Sequence, residues 1–379
     1  MPPALTDQYH LTDPQAHLLS AYQYSLPPEL IASHPLAERD ASRMLVLHRD
    51  GQQLTHGSFK DVVNYLNAGD TLVLNDTKVM PARLFGHRLN AHGEPLTGKV
   101  EVLLLQPNAH YPAPHVWDVL AKPARKLPVG SRVQVGDAER GLATATVLHQ
   151  GERGRLTLQW ELGDSFSSVV ALMEALGQLP LPPYFGRQAT LADADRYQTV
   201  VADANKQASQ AAPTAGLHFT PEVLAQLEAK GVTVAKVTLH VGTGTFLPVM
   251  VEDVTQHTLH TEWYDLPQAT AQTLLQTKQR GGKVVAVGTT VVRTLESAVL
   301  QHPTSWQQGC QGDTNLFIRP GFSFKLVQGL LTNFHLPGST LLMLVSAFAQ
   351  SRPWVLHAYQ EAARYRYRFY SYGDCMLVF

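Results

Sequence analysis

Over 83–162 the sequence holds no run with helical spacing. Short stretches at 99–105, 116–121, 132–135, 142–148 and 155–160 alternate apolar and polar residues, and Gly, Pro, Asn or Asp fills the gaps. A period of two sends successive side chains to opposite faces of a strand, and strands joined by short turns pair antiparallel. Such a segment predicts a small antiparallel barrel. The flanks read differently. Ser58 opens a helical pattern in Phe59, Val62, Val63 and Leu66 that Gly69 closes, and 71–74 is a short apolar strand. Helical patterns return at 166–177, at 221–230 (Thr220 as N-cap, Pro221 at the first position, Gly231 past the end), at 267–280 and at 290–300. Strands at 232–239, 283–287 and 325–331 alternate with them. Strand–helix alternation implies parallel pairing with right-handed crossovers. The expected fold is a main α/β domain with a mostly parallel sheet, 1–82 and 163–379, into which a smaller antiparallel β-barrel domain, 83–162, is inserted.

Composition removes several classes. At ~100–200 residues per domain, 379 residues make two domains. An apolar fraction of 44% excludes a disordered chain. Two cysteines, Cys310 and Cys375, cannot build a disulfide framework or a four-thiolate zinc site, so a reducing compartment fits. The first 20 residues lack a basic start and an apolar stretch, which argues against export. The most apolar window, 341–349, is far short of the ~20 residues a bilayer needs. A cytoplasmic, monomeric protein without membrane contact is expected. With 30 Lys+Arg against 31 Asp+Glu, a nucleic-acid partner would have to meet a local basic patch.

In parallel sheets ligands sit beyond the carboxyl ends of the strands, so those loops are the candidate sites. Gly288-Thr289-Thr290 opens a helix with free N–H groups and hydroxyls, and Arg293 follows on its first turn, suited to a carboxylate or phosphate. The alternative is a plain capped helix with an Arg293–Glu296 pair at i, i+3. Gly242-x-Gly244 lacks the third glycine of a dinucleotide fingerprint; its glycines let the backbone turn tightly against a ligand or a neighbouring strand. His218, His240 and His335 lie in Gly/Thr/Asn-rich loops beside apolar runs, positions that suit a general base or acid as well as a structural role. His257-x-x-His260-x-Glu262 approaches a metal spacing without being the helical zinc arrangement. At the C-terminus Arg364, Arg366 and Arg368 interleave with Tyr365, Tyr367 and Phe369, either a base-stacking surface or an element that buries its aromatics and exposes its arginines.

Eight phrases then occur in a fixed order. They are NDTKVMPAR at 75–83, LPLPPY at 179–184, RYQTV at 196–200, AAPTAGLHF at 211–219, HVGTGTF at 240–246, AVGTT at 286–290, TNFHLP at 332–337, and YRF at 367–369 closing on SYGD at 371–374. Together they resemble the S-adenosylmethionine:tRNA ribosyltransferase-isomerases of queuosine biosynthesis, from about Leu26 to Leu377. The resemblance implies transfer of the ribosyl part of S-adenosylmethionine to a 7-aminomethyl-7-deazaguanine base. That base stands at the wobble position of the GUN-anticodon tRNAs for Asp, Asn, His and Tyr. The implied product is epoxyqueuosine, with adenine and methionine released and no metal or further cofactor. It also implies His218, His240 and His335 as the acid–base imidazoles. Arg293 would hold the methionine carboxylate, with Glu296 on its ammonium. Asn75, Thr214 and Asn333 would orient ribose hydroxyls or a base edge, beside Gly242, Gly244 and Thr289. Arg364, Arg366 and Arg368, with Lys122, Arg125 and Lys126, would meet tRNA phosphates. Where the family carries a Pro-Gly stretch, residues 203–210 have neither residue, and Cys375 stands where a small residue is expected. The two alternatives are a metal-dependent hydrolase using His257, His260 and Glu262, and a non-catalytic RNA-binding protein.

Overall fold

A computed structural model describes residues 13–108, 110–111, 115–242, 244 and 248–379. Thr243, Thr245 and Phe246 of the expected 240–246 loop, and the start of the chain, lie outside the described residues. In chain order the first strands are β1 (Arg43–His48), β2 (Gln53–Ser58), β3 (Thr71–Asn75), β4 (Lys78–Val79), β5 (Arg83–Leu89), β6 (Pro95–Pro107), β7 (Val116–Lys122), β8 (Arg132–Asp137), β9 (Gly141–Gln150) and β10 (Arg155–Glu161). Then follow β11 (Gln207–Ser209), β12 (Thr233–Leu239), β13 (Glu262–Leu266), β14 (Val284–Val287), β15 (Cys310–Thr314), β16 (Gly329–Asn333) and β17 (Cys375–Val378).

The chain divides into two compact units: Met1–Lys78, Pro183–Arg187 and Asp195–Phe379 in one, Val79–Pro182 and Gln188–Ala194 in the other. In the larger unit, nine strands among the described residues form one sheet, ordered β15-β13-β12-β3-β14-β16-β17-β1-β2. β12, β3, β14 and β16 are parallel neighbours and β1 is parallel to β17, while every other adjacent pair is antiparallel. The expected mostly parallel sheet is therefore a mixed one. The cause is local: β1 returns through a tight turn, with Gly51 and Gln52 at positive φ, as the hairpin partner of β2, and β17 folds back along β16.

The central parallel strands β3, β14 and β16 are buried along their whole length because both faces are covered. β3 sends Leu72 and Leu74 to one core and Val73 to the other, and β14 divides Val285 and Val287 from Val284 and Ala286 in the same way. The helix Pro221–Ala229 covers one face with Val223 and Leu227, capped by Thr220 and started by Pro221 as expected. The helices Gln268–Gln279, Thr289–Gln301, Thr340–Phe348 and Arg352–Arg364 cover the other.

Among its described residues the smaller unit holds six antiparallel strands in the order β10-β7-β6-β5-β8-β9, and β9 pairs β10 as well. Val100, Val102 and Leu104 of β6 point into its core. The unit runs past the expected 83–162, because the helix Val169–Leu176 buries Val169, Leu172 and Met173 in that same core.

For the larger unit the consequence is positional. Parallel β3, β12, β14 and β16 end on one edge, where Asn333 pairs with Cys375 at the start of β17. Gly288, at φ 90, lets the chain turn from β14 straight into the helix Thr289–Gln301, a conformation that residues with a Cβ rarely adopt.

Candidate active site

At that edge the segments 211–215, 288–290, 332–335 and 370–371 line a cleft. Thr214, Thr289, Thr290, Asn333 and His335 supply its polar wall; Val241 and Leu341 are apolar. The first-turn amides of the helix Thr289–Gln301 open here, while the Gly288 N–H is taken by the Leu331 carbonyl at 2.7 Å.

The three histidines have different surroundings. His335 lines the cleft; its Nε2 lies 3.1 Å from the Thr332 hydroxyl, and burial lowers the imidazole to about 3. His240 is half-buried at the end of β12, where its Nδ1 meets the Thr77 hydroxyl at 2.9 Å and its ring stacks on Trp263. Burial lowers its pKa, and Asp76 opposes that shift. His218 is buried outside the cleft wall, between Ser42 (3.0 Å) and Asn333 (3.1 Å). Burial, with Arg368 nearby, lowers it to about 3. All three are neutral imidazoles at pH 7.

Several residues expected to hold substrate are occupied by the protein itself. Asn75 bonds both the carbonyl (3.0 Å) and the N–H (3.2 Å) of Leu239 and accepts from the Thr77 N–H, so its amide ties β3 to β12. Arg293 pairs with Glu262, not Glu296, and donates to the Leu316 carbonyl at 3.1 Å and the Thr314 carbonyl at 3.3 Å. Glu296 is fully buried and accepts the N–H groups of Lys325, Leu326 and Val327 at 2.8–3.0 Å, which fixes the entry to β16. The alternative i, i+3 pair is likewise not formed. Gly242 donates its N–H to Glu262 at 2.9 Å, and Gly244 leaves room for the His260 ring, which a Cβ would meet at 2.3 Å. Glu262 thus serves a buried cation already, and among the described residues no three His, Cys, Asp or Glu side chains gather as metal ligands. Thr214, Thr289 and Asn333 do face the cleft.

The C-terminal arginines separate. Arg364 and Arg366 are exposed, whereas Arg368 folds inward to the His34 carbonyl. Tyr367 and Phe369 are core residues, leaving Tyr365 as the exposed aromatic of that run. In the smaller unit Lys122, Arg125 and Lys126 are exposed, and Lys122 and Arg125 share a groove with Arg153.

Other residues of this edge have roles that no local pattern in the sequence announces. Asp76 accepts from the Thr238 hydroxyl and pairs with Lys206, each at 2.7 Å. The 203–210 segment is fixed in place, since the Val241 N–H donates to Ser209 Oγ at 2.8 Å and the Gln210 N–H to the Val241 carbonyl at 2.9 Å. Tyr370 lines the cleft at φ 76, strained for a side chain of its size. Asp76 and Tyr370 sit inside or beside the recognised phrases, the one available signal.

A mixed α/β sheet whose parallel strands end in a cleft lined by Thr214, Thr289, Asn333 and the His335 imidazole gives this chain the arrangement of an α/β enzyme. It belongs to the queuosine biosynthesis protein family, whose model matches residues 19–378. The chain is 47% identical to the S-adenosylmethionine:tRNA ribosyltransferase-isomerase of Staphylococcus haemolyticus over 357 residues, 94% of this chain and 98% of that one. It is also similar to the crystal structure of the S-adenosylmethionine tRNA ribosyltransferase of Thermotoga maritima. There the identity is 38%, the TM-score 0.52, and the coverage 95% of this chain and all of that one.

Proposed function

We propose that the chain transfers the ribosyl part of S-adenosylmethionine to the 7-aminomethyl-7-deazaguanine at the wobble position of GUN-anticodon tRNAs, releasing adenine and methionine and leaving epoxyqueuosine. The observation that carries this reading is the cleft itself, which gathers four of the recognised phrases (those at 211–219, 286–290, 332–337 and 367–374) around one polar floor. The anticodon loop is single-stranded, so its wobble base enters a pocket without breaking a pair.

Removing the C5′ proton beside the sulfonium needs a base. His240 suits that role, because it is neutral, its Nδ1 is oriented by Thr77, and Asp76 nearby favours the imidazolium that proton uptake creates. His335 presents a neutral imidazole inside the cleft, suited to hydrogen bonding rather than to acid catalysis. His240→Ala is expected to lower kcat ~10²–10⁴-fold. The assay incubates enzyme, S-adenosylmethionine and precursor tRNA, then weighs the digested nucleosides. Adenine release without a mass gain on the wobble nucleoside would overturn the proposed reaction; kcat within about threefold of wild type would remove His240 as the base.

Lys122, Arg125 and Lys126 are proposed to meet tRNA phosphates. Each phosphate contact on a single strand contributes about 0.7 to the slope of log K against log salt. Lys122→Ala with Arg125→Ala is therefore expected to flatten the slope by roughly 1.4, read by filter binding at graded salt. An unchanged slope would take both residues out of the footprint.

A further inference from the structure

Four polar side chains run from the cleft floor into the protein: Thr214, Asn333, His218 and Ser42. The Thr214 hydroxyl is 3.1 Å from Asn333 Oδ1, Asn333 Nδ2 is 3.1 Å from His218 Nε2, and His218 Nδ1 is 3.0 Å from Ser42 Oγ. Taken alone, this chain is consistent in two opposite directions. Turning the amide of Asn333 over would shift the His218 proton to Nε2 and make Thr214 the acceptor from Asn333. A fifth group breaks the tie. The Asp374 backbone carbonyl lies 3.5 Å from the same amide corner and can only accept, so the NH₂ of Asn333 belongs on that side. His218 Nε2 is then bare, its proton sits on Nδ1 toward Ser42, and Thr214 spends its single proton inward on Asn333 Oδ1.

We propose that this relay fixes Thr214 as a hydrogen-bond acceptor toward the cleft, with His218 as a positioning residue behind it. Thr214 then selects a donor on the substrate, a hydroxyl or an amine, and turns away a carboxylate or phosphate oxygen. This deepens the ribosyl-transfer reading, on which the substrate half of the inference rests, and places a ribose hydroxyl of S-adenosylmethionine at Thr214. The Asp374 carbonyl is itself held. Its carboxylate accepts the Arg43 N–H at 2.9 Å and the Arg368 N–H at 2.8 Å, so the group that decides the polarity is a rigid one.

Two measurements test this, and they fail separately. Histidine-selective ¹⁵N labelling of the free protein, with His218→Gln to assign the signal, reads the tautomer without substrate. A bare Nε2 and protonated Nδ1 from pH 6 to 8 are expected; a protonated Nε2 overturns the relay. Kinetics with S-adenosylmethionine read the consequence. Thr214→Val should raise KM about 3–10-fold with kcat nearly kept, and Thr214→Ser should restore it. His218→Leu should raise KM similarly, and His218→Gln, which keeps an acceptor for the Asn333 amide, should recover most of the loss. An unchanged KM in Thr214→Val overturns the acceptor role. A wild-type enzyme inactive toward S-adenosylmethionine would sink the ribosyl-transfer reading and the ribose assignment with it, and the tautomer would still decide the relay.

Discussion

Arg293→Met is expected to lower the free energy of unfolding by about 3–5 kcal/mol. The Arg293 and Glu262 side chains are 8% and 6% exposed, and a carboxylate that loses its guanidinium at that depth keeps its desolvation cost without the compensating attraction. The Leu316 and Thr314 carbonyls lose a donor as well. Glu262 also holds the Gly242 N–H, so the damage passes to the backbone after β12 that carries His240 and Val241. Replacing both partners, Glu262→Met with Arg293→Met, removes the stranded charge and should regain much of the loss. Urea denaturation of the wild type, the single variant and the double variant checks this. A single-variant loss below about 1 kcal/mol would mean that the pair contributes no more than an exposed one.

That result would also separate what the sequence could and could not say about Arg293. Its place early in the helix after Gly288 was legible from the strand–turn–helix pattern, because local hydrophobic period and capping are encoded within a dozen residues. Its partner was not. Glu262 lies 31 residues earlier on an antiparallel strand of five residues between β12 and β15, and β13, β15 and β17 are each too short and too irregularly flanked to announce themselves. The same holds for Glu296. A glutamate one helical turn from an arginine reads as an ion pair, yet here it gathers three backbone amides from 325–327, a use that only tertiary placement reveals. The antiparallel unit was visible because alternation is a local signal. Its extension through the helix Val169–Leu176 was hidden, since which core a helix joins depends on long-range packing. At the site, the loops were found by their wording and by the rule that parallel strands point their carboxyl ends at ligands. The inward turn of Tyr367, Phe369 and Arg368 was not, because a run of alternating arginines and aromatics reads equally well as a surface.

The buried imidazoles give the second large expected effect, a steep loss of stability in mild acid. His218 and His335 are 4% and 5% exposed, and burial holds each at about 3 in the folded protein. In the unfolded chain each titrates near ~6.5. Between those values the unfolded state binds a proton at each site that the folded state refuses, so stability falls as pH falls. The contribution is complete above about pH 6.5 and is lost progressively toward 3, at about 1.4 kcal/mol per pH unit for each imidazole. From pH 8 to pH 5 the two together remove about 4 kcal/mol, a large part of a typical ~5–15 kcal/mol total. Half-buried His240 adds a smaller contribution of the same sign. Urea midpoints at pH 8, 7, 6 and 5 measure the effect, and His335→Asn isolates half of it. That variant starts less stable at pH 8 because it loses packing and the Thr332 contact, yet its stability should fall by about 2 kcal/mol less on acidification. Parallel curves for the two proteins would show that His335 is already protonated in the folded state, and with it the case for a neutral imidazole in the cleft would fail.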